Sequence, residues 1–105
     1  MIVTFEKEYL RDLYETGKAD DKKHRFQPEI VRKYQYCINL MSRVPDTLSL
    51  AKYNGLNFEN LKGDKVGVSS IRVNNQYRIE FMVTDNGVES VATVCNILEL
   101  SNHYK

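Results

Sequence analysis

Val66-Gly67-Val68-Ser69-Ser70-Ile71-Arg72-Val73, then Asn74-Asn75-Gln76, then Tyr77-Arg78-Ile79-Glu80-Phe81-Met82-Val83-Thr84 reads as two β-rich runs around a short polar turn. Asparagine tolerates positive φ, so the separator has turn chemistry. Loop length then sets the register. A two-residue loop at Asn74-Asn75 pairs Val73 with Gln76 and sets Ile71 opposite Arg78. A three-residue loop pairs Val73 with Tyr77 and Ile71 with Ile79. The second choice gathers Ile71, Val73, Tyr77, Ile79, Phe81 and Val83 on one face, whereas a one-residue slip would bury charge. The three-residue loop is therefore expected. Asp85-Asn86-Gly87 is a second turn, and Val88–Ile97 a third β-rich run, which makes a meander of three antiparallel strands.

In that register the other face carries Ser70, Arg72, Arg78 and Glu80, with Arg72 directly across from Arg78. Like charges in direct opposition destabilise a sheet, so an anion is expected beside them. Two outcomes remain: an exposed face on which Arg78 bonds Glu80, or a face that binds phosphate.

Upstream the period is helical. Tyr9, Leu10, Leu13 and Tyr14 recur at helical spacing from about Glu8, and Gly17 supplies a stop. Lys18 to Arg25 reads as a charged, solvated connector, with His24 at the surface. A second helix begins at Pro28, where a missing N–H is harmless. Ile30, Val31, Tyr34, Cys37, Ile38, Met41 and Val44 form its apolar stripe, and Pro45 ends it. Met1 to Phe5 is β-prone and needs a sheet to receive it. Asp46 to Asn60 has few signals beyond a short turn or strand.

The chain has 105 residues, 42% hydrophobic and 28% charged, which suits one folded domain spanning 1–105. Fifteen basic and 14 acidic side chains leave a net charge of +1, so any polyanion contact must come from local clustering. Cys37 and Cys95 are in no metal-ligand spacing and read as buried, reduced thiols. His24 and His103 lack partners at ligand spacing, so no metal and no cofactor is implied. With no signal-peptide core and no apolar run long enough to cross a bilayer, a cytoplasmic protein without membrane contact is expected.

Leu61-Lys62-Gly63-Asp64-Lys65, followed by Ser70-Ile71-Arg72-Val73 and Asn75-Gln76-Tyr77-Arg78-Ile79, resembles the signature of HigB-type toxins of the RelE/ParE superfamily. Those sequences show Leu-Lys-Gly-Asp, a Trp-Ser-Ile-Arg-Val-type strand, then Asn-X-aromatic-Arg-Ile. The likeness runs in order through both helices, the meander and the tail. It implies an α+β fold in which two N-terminal helices pack on a curved antiparallel sheet. It also implies a toxin of a type II toxin–antitoxin system that cleaves messenger RNA on the ribosome, without a metal, by attack of a ribose 2′-OH on the adjacent phosphate. The partners implied are the ribosome, messenger RNA and a helix-turn-helix (HigA-type) antitoxin, with DNA reached only through the antitoxin complex. The connector Ala19 to Gln27 and the exposed side of the second helix are places for that antitoxin to touch.

Matched to the motifs, Lys62 and Arg78 are the family's catalytic cations, suited to an electron-rich phosphoryl transition state. Arg72 and Lys65 would hold the RNA backbone, with a plain solvated charge the other reading of Lys65. The pattern thus expects Arg72, Arg78 and Lys62 on one water-facing surface. The tail departs from the family. Many members end Asp-Tyr-His, but this chain ends His103-Tyr104-Lys105, and Glu59 stands where a His often precedes the motif Lys. Acid and base roles therefore stay open among His103, whose reference pKa is near working pH, Tyr104 and Glu59. A ParE-like toxin that inhibits gyrase without catalysis, and a toxin-derived domain that has lost activity, are the alternatives.

Overall fold

The computed structural model describes residues 1–84 and 93–102. Its hairpin has the register that side-chain chemistry demands: β3 (Ser69–Arg72) and β4 (Tyr77–Thr84) set Ile71 against Ile79 and Arg72 against Arg78. The turn is held by Asn74, whose Oδ1 accepts from the backbone N–H of Gln76 at 2.9 Å and of Tyr77 at 2.7 Å. Ile71, Val73, Ile79 and Phe81 are buried, as the three-residue loop requires.

The sheet is larger than a three-strand meander. Five strands lie in the order β1-β5-β4-β3-β2, where β1 is Ile2–Phe5, β2 is Glu59–Asn60 and β5 is Val94–Asn102. β1 runs parallel to β5, and all other pairings are antiparallel. β1 thus covers the outer edge of β5, while the two-residue β2 covers only Ser69 and Ser70 of β3.

Two expectations need correction. Val66–Val68 precedes the strand instead of opening it, because Gly63 and Gly67 take φ of +68° and +91° around a 3-10 turn at Gly63–Lys65. Those left-handed residues break extended geometry until Ser69. At the other end, β5 continues past Ile97 to Asn102. A bulge pairs Glu80 with Glu99 but Phe81 with Ile97, which breaks the in–out alternation and hides the strand from pattern reading. The expected turn at Asp85–Gly87 and the start of the third run at Val88 lie outside the described residues.

Helices α1 (Glu8–Thr16) and α2 (Pro28–Arg43) lie where the periodicity places them. Gly17 ends α1 in the left-handed conformation, its N–H donating to the Leu13 carbonyl at 3.1 Å. Gln35 of α2 donates to the Leu13 and Tyr14 carbonyls at 3.1 and 3.2 Å, which satisfies further orphan acceptors at that end. The buried Tyr34 hydroxyl reaches the Leu10 carbonyl at 2.7 Å, pinning α2 to α1. Every residue of the expected α2 stripe is buried and joins Leu10, Leu13, Ile71, Ile79, Phe81, Cys95 and Ile97 in one core. A short α3 (Thr47–Ala51), capped by Asp46, leads through a 3-10 turn at Asn54–Leu56 into β2. No helix among the described residues is long and apolar enough to cross a membrane.

Candidate nucleic-acid interface

Strand pairing builds a polar layer on the sheet face away from the core. One row runs from Arg72 through Arg78 to Ser101, and the next from Glu59 through Ser70 to Glu80. Arg78 is not water-facing as expected; it is 8% exposed. Its Nε donates to the Ser70 hydroxyl at 2.9 Å, and its Nη2 to the Asn57 carbonyl at 2.6 Å and the Ser70 carbonyl at 3.4 Å. All three acceptors are neutral. Nor does Arg78 bond Glu80, because Lys65 reaches over from the 3-10 turn and takes both Glu80 oxygens, at 3.0 and 2.8 Å. Among the described residues, no carboxylate lies within ion-pairing distance of Arg78.

A buried cation without a counter-ion is costly, and neutral acceptors offset only part of the lost hydration. What remains is an unmet attraction for an anion. The guanidinium opens into a cleft of about 460 Å³ lined by Asn57, Phe58, Glu59, Arg72, Asn74, Asn75 and Arg78. Arg72, directly across from Arg78, is half-buried, and its Nη2 is hydrogen-bonded to the Asn75 side chain. The Asn57 carbonyl faces Arg78 because Asn57 is left-handed, with φ +45° and ψ +56°. Asparagine adopts that conformation more readily than most residues.

The structure therefore brings Arg72, Arg78 and Glu59 together at one cleft. It does not place Lys62 on that lining. Glu59 is opposite Ser70 and Asn60 opposite Ser69, and the Leu61 N–H donates to the Val68 carbonyl, so the chain leaves Glu59 in the direction away from Arg72. Three residues on, Lys62 is displaced by roughly 10 Å along the strand direction. It is exposed and has no ion-pair partner among the described residues. Lys65 is occupied by Glu80. His103 and Tyr104 lie outside the described residues, although β5 ends at Asn102, one residue after Ser101, the partner of Arg78.

Sequence reasoning missed Ser70 as a ligand of Arg78 and missed Asn57 altogether. Ser70 lies on the correct face two residues from Arg72, a signal that was present. Nothing in the pattern joins Asn57 to a strand 21 residues away. His24, expected at the surface, instead stacks on Tyr9 with ring centroids 3.5 Å apart and pairs with Asp21 at 2.7 Å. The stack draws part of the connector onto α1.

Two helices on a five-stranded, mostly antiparallel sheet make the RelE/YoeB-like toxin fold. The YoeB/ParE toxin from Agrobacterium tumefaciens superposes with a TM-score of 0.59 at 22% identity, over 99% of this chain and 100% of that one. The YoeB toxin of Staphylococcus aureus, solved in a heterotetrameric YoeB–YefM toxin–antitoxin complex, gives 0.53 at 22% identity, over 99% and 98%. At such identities the likeness speaks for the fold alone. Sequence goes further: the pattern that describes the RelE-like toxin of type II toxin–antitoxin system HigB matches residues 3–93. Toxin HigB-1 of Vibrio cholerae is 33% identical over 86 residues, 81% of this chain and 86% of that protein. The chain belongs to the HigB-like family of toxins of type II toxin–antitoxin systems.

Proposed function

We propose that this toxin is an endoribonuclease that cleaves messenger RNA on the ribosome. The observation that carries the reading is Arg78: buried, held by neutral acceptors, without a carboxylate in ion-pairing distance among the described residues, and part of the lining of a cleft. Such a group is preorganised for a phosphate that gains negative charge in its transition state, where fixed donors count most.

In this reading a ribose 2′-oxygen forms a bond to the adjacent phosphorus, and the bond from phosphorus to the 5′-oxygen of the next nucleotide breaks. The products are a 2′,3′-cyclic phosphate and a free 5′-hydroxyl. Arg78 and Lys62 stabilise the pentacoordinate phosphorane, which requires Lys62 to swing toward the cleft from outside its described lining. Arg72 holds the neighbouring backbone. The 2′-OH proton goes to a base and the leaving 5′-oxygen takes one from an acid, drawn from Glu59, His103 and Tyr104; of these, Glu59 is the one among the described residues, and it lines the cleft. The toxin acts in the cytoplasm and is held inactive by an antitoxin encoded beside it, of the helix-turn-helix kind. Support for a partner of some kind comes from the family and from the YoeB–YefM complexes.

Mapping transcript 5′ ends after induced expression tests this. The native chain produces new 5′ ends within translated messages and arrests growth, whereas Arg78→Ala lowers cleavage at least about 100-fold, the scale set by loss of one preorganised donor. Undiminished cleavage by Arg78→Ala overturns the role of Arg78. Intact messages with a DNA-damage response would instead favour gyrase inhibition of the ParE kind.

A further inference from the structure

Of the seven tyrosines, Tyr104 lies outside the described residues, and four of the rest are engaged. The hydroxyls of Tyr9, Tyr14 and Tyr34 are hydrogen-bonded, and the Tyr77 ring packs edge-on against Phe26. Tyr36 and Tyr53 are different. They are 61% and 46% exposed, and among the described residues neither ring stacks on another and neither hydroxyl is bonded. Both stand on one groove of about 350 Å³, lined also by Lys33, Cys37, Leu40, Leu56, Arg72 and Val73.

This groove opens where β2 has not yet begun: its first residue, Glu59, pairs with Ser70, so no strand covers the edge beside Arg72 and Val73. Among the described residues its lining contains two cations and no carboxylate. The segment 54–59 separates it from the Arg78 cleft, with Asn54 to Leu56 facing the groove and Asn57 to Glu59 the cleft, and Arg72 lines both. Free aromatic rings beside cations, sharing Arg72 with the Arg78 cleft, have the composition of a single-strand nucleic-acid platform.

We propose that this groove is a nucleotide subsite: Tyr36 and Tyr53 stack one unpaired base of the strand whose scissile phosphate sits at Arg78, while Lys33 and Arg72 hold the intervening backbone. The proposal rests on the RNA-cleaving reading of the cleft. An apolar floor of Leu40 and Leu56 with unbonded hydroxyls at the rim suits a base without selecting one, so the subsite adds affinity more than sequence preference.

The test measures fluorescence anisotropy of 2′-deoxy-substituted, uncleavable RNA dinucleotides and tetranucleotides on the full chain at low salt. The native toxin binds the tetranucleotide at least 10-fold tighter than the dinucleotide. Tyr53→Leu and Tyr36→Leu each remove about 5-fold or more of that gain, the scale of one base–aromatic stack, and leave dinucleotide affinity unchanged. Lys33→Glu, at an exposed position, does the same without a change in the core. Arg78→Gln weakens both ligands. Dinucleotide binding that depends on Arg78, with a tetranucleotide gain that is absent or indifferent to all three groove variants, overturns the subsite but not the cleft. No binding of either ligand by the native toxin overturns both. Variants that change self-association in sedimentation while tetranucleotide affinity holds would make the groove a protein interface and end the proposal.

Discussion

Lys65 holds both carboxylate oxygens of Glu80, at 3.0 and 2.8 Å, and thereby keeps that anion away from Arg78 two residues earlier on the same face of β4. Glu80 is the more buried member, its side chain 15% exposed against 53% for Lys65. The lysine comes from the 3-10 turn that follows Lys62, so the Leu-Lys-Gly-Asp-Lys segment acts on the cleft through its last residue as well as its second. Lys65, expected to grip RNA or to sit in solvent, is paired with the carboxylate that lies two residues from Arg78.

Removing that lysine should therefore injure activity indirectly. Lys65→Ala leaves the half-buried Glu80 carboxylate unpaired, and the nearest unneutralised cation on its face is Arg78. We expect cleavage to fall about 5- to 20-fold, with little loss of stability, since a partly exposed pair contributes only about 0–1 kcal/mol. Lys65→Ala combined with Glu80→Gln should recover most of the activity. Initial rates of message cleavage by the two variants check this, and a double variant as slow as Lys65→Ala alone would show that Lys65 acts on RNA directly.

Asn57 offers a backbone test of the same site. Its left-handed conformation turns its carbonyl toward Arg78, at 2.6 Å. Asn57→Gly should be nearly neutral, because glycine meets that φ without strain. Asn57→Val places a β-branched residue there at a cost of about 1–3 kcal/mol and rotates the carbonyl away. The expected result is a lower unfolding midpoint together with a fall in cleavage of about 10-fold or more. Equal activity of the glycine and valine variants, each measured well below its midpoint, would detach the carbonyl from the function of Arg78.

Much of this was legible beforehand, and the exceptions have physical causes. α2 was readable from Pro28 to Val44 because periodicity and both end signals agree, and the hairpin because only one register buries Ile71 with Ile79. β1 was readable only as a β-prone run at Met1 to Phe5 that a sheet had to receive, and β5 receives it; β2 was readable only as a short turn or strand somewhere in Asp46 to Asn60, since two residues carry no period. The bulge hid the end of β5. At the site, the opposition of Arg72 and Arg78 followed from register alone. The burial of Arg78 did not, because it depends on Asn57 and on Lys65 diverting Glu80, contacts between segments that no local pattern connects.

Stability should fall at both ends of the pH range. Burial raises the Glu99 carboxyl somewhat, but hydrogen bonds from Lys7 and Tyr9 outweigh it and hold the carboxyl below its usual range. A lowered folded value means that the stabilisation is complete above the unfolded carboxylate pKa of about 4.3 and is lost as pH falls through the folded value. At the alkaline end, burial and the Glu99 hydrogen bond raise the Tyr9 phenol, and burial raises that of Tyr34, so folding weakens as pH climbs above about 10, where unfolded tyrosines ionise. Thermal melts of the native chain and Glu99→Gln across pH 2.5–7 check the acid limb. The variant should melt lower at pH 7 and show a shallower decline below pH 4; parallel curves would remove Glu99 from the account.

The two thiols should be inert in the folded chain, and unequally so. Burial pushes Cys37 up to about 11 and Cys95 up to about 12. Since the thiolate is the reacting species and a free thiol has a pKa near 8.5, each should alkylate at least about 100-fold more slowly than in the denatured chain. Cys95 lies inside β5 within the sheet, whereas Cys37 forms part of the wall of the groove beside Tyr36. A small opening at that wall uncovers Cys37, but reaching Cys95 requires the core behind the sheet to open. Iodoacetamide labelling followed by mass spectrometry should therefore modify Cys37 first, and Cys95 only at the rate of global unfolding. Tetranucleotide bound in the groove should slow Cys37 further and leave Cys95 unchanged, a difference that RNA held at the Arg78 cleft alone would not produce.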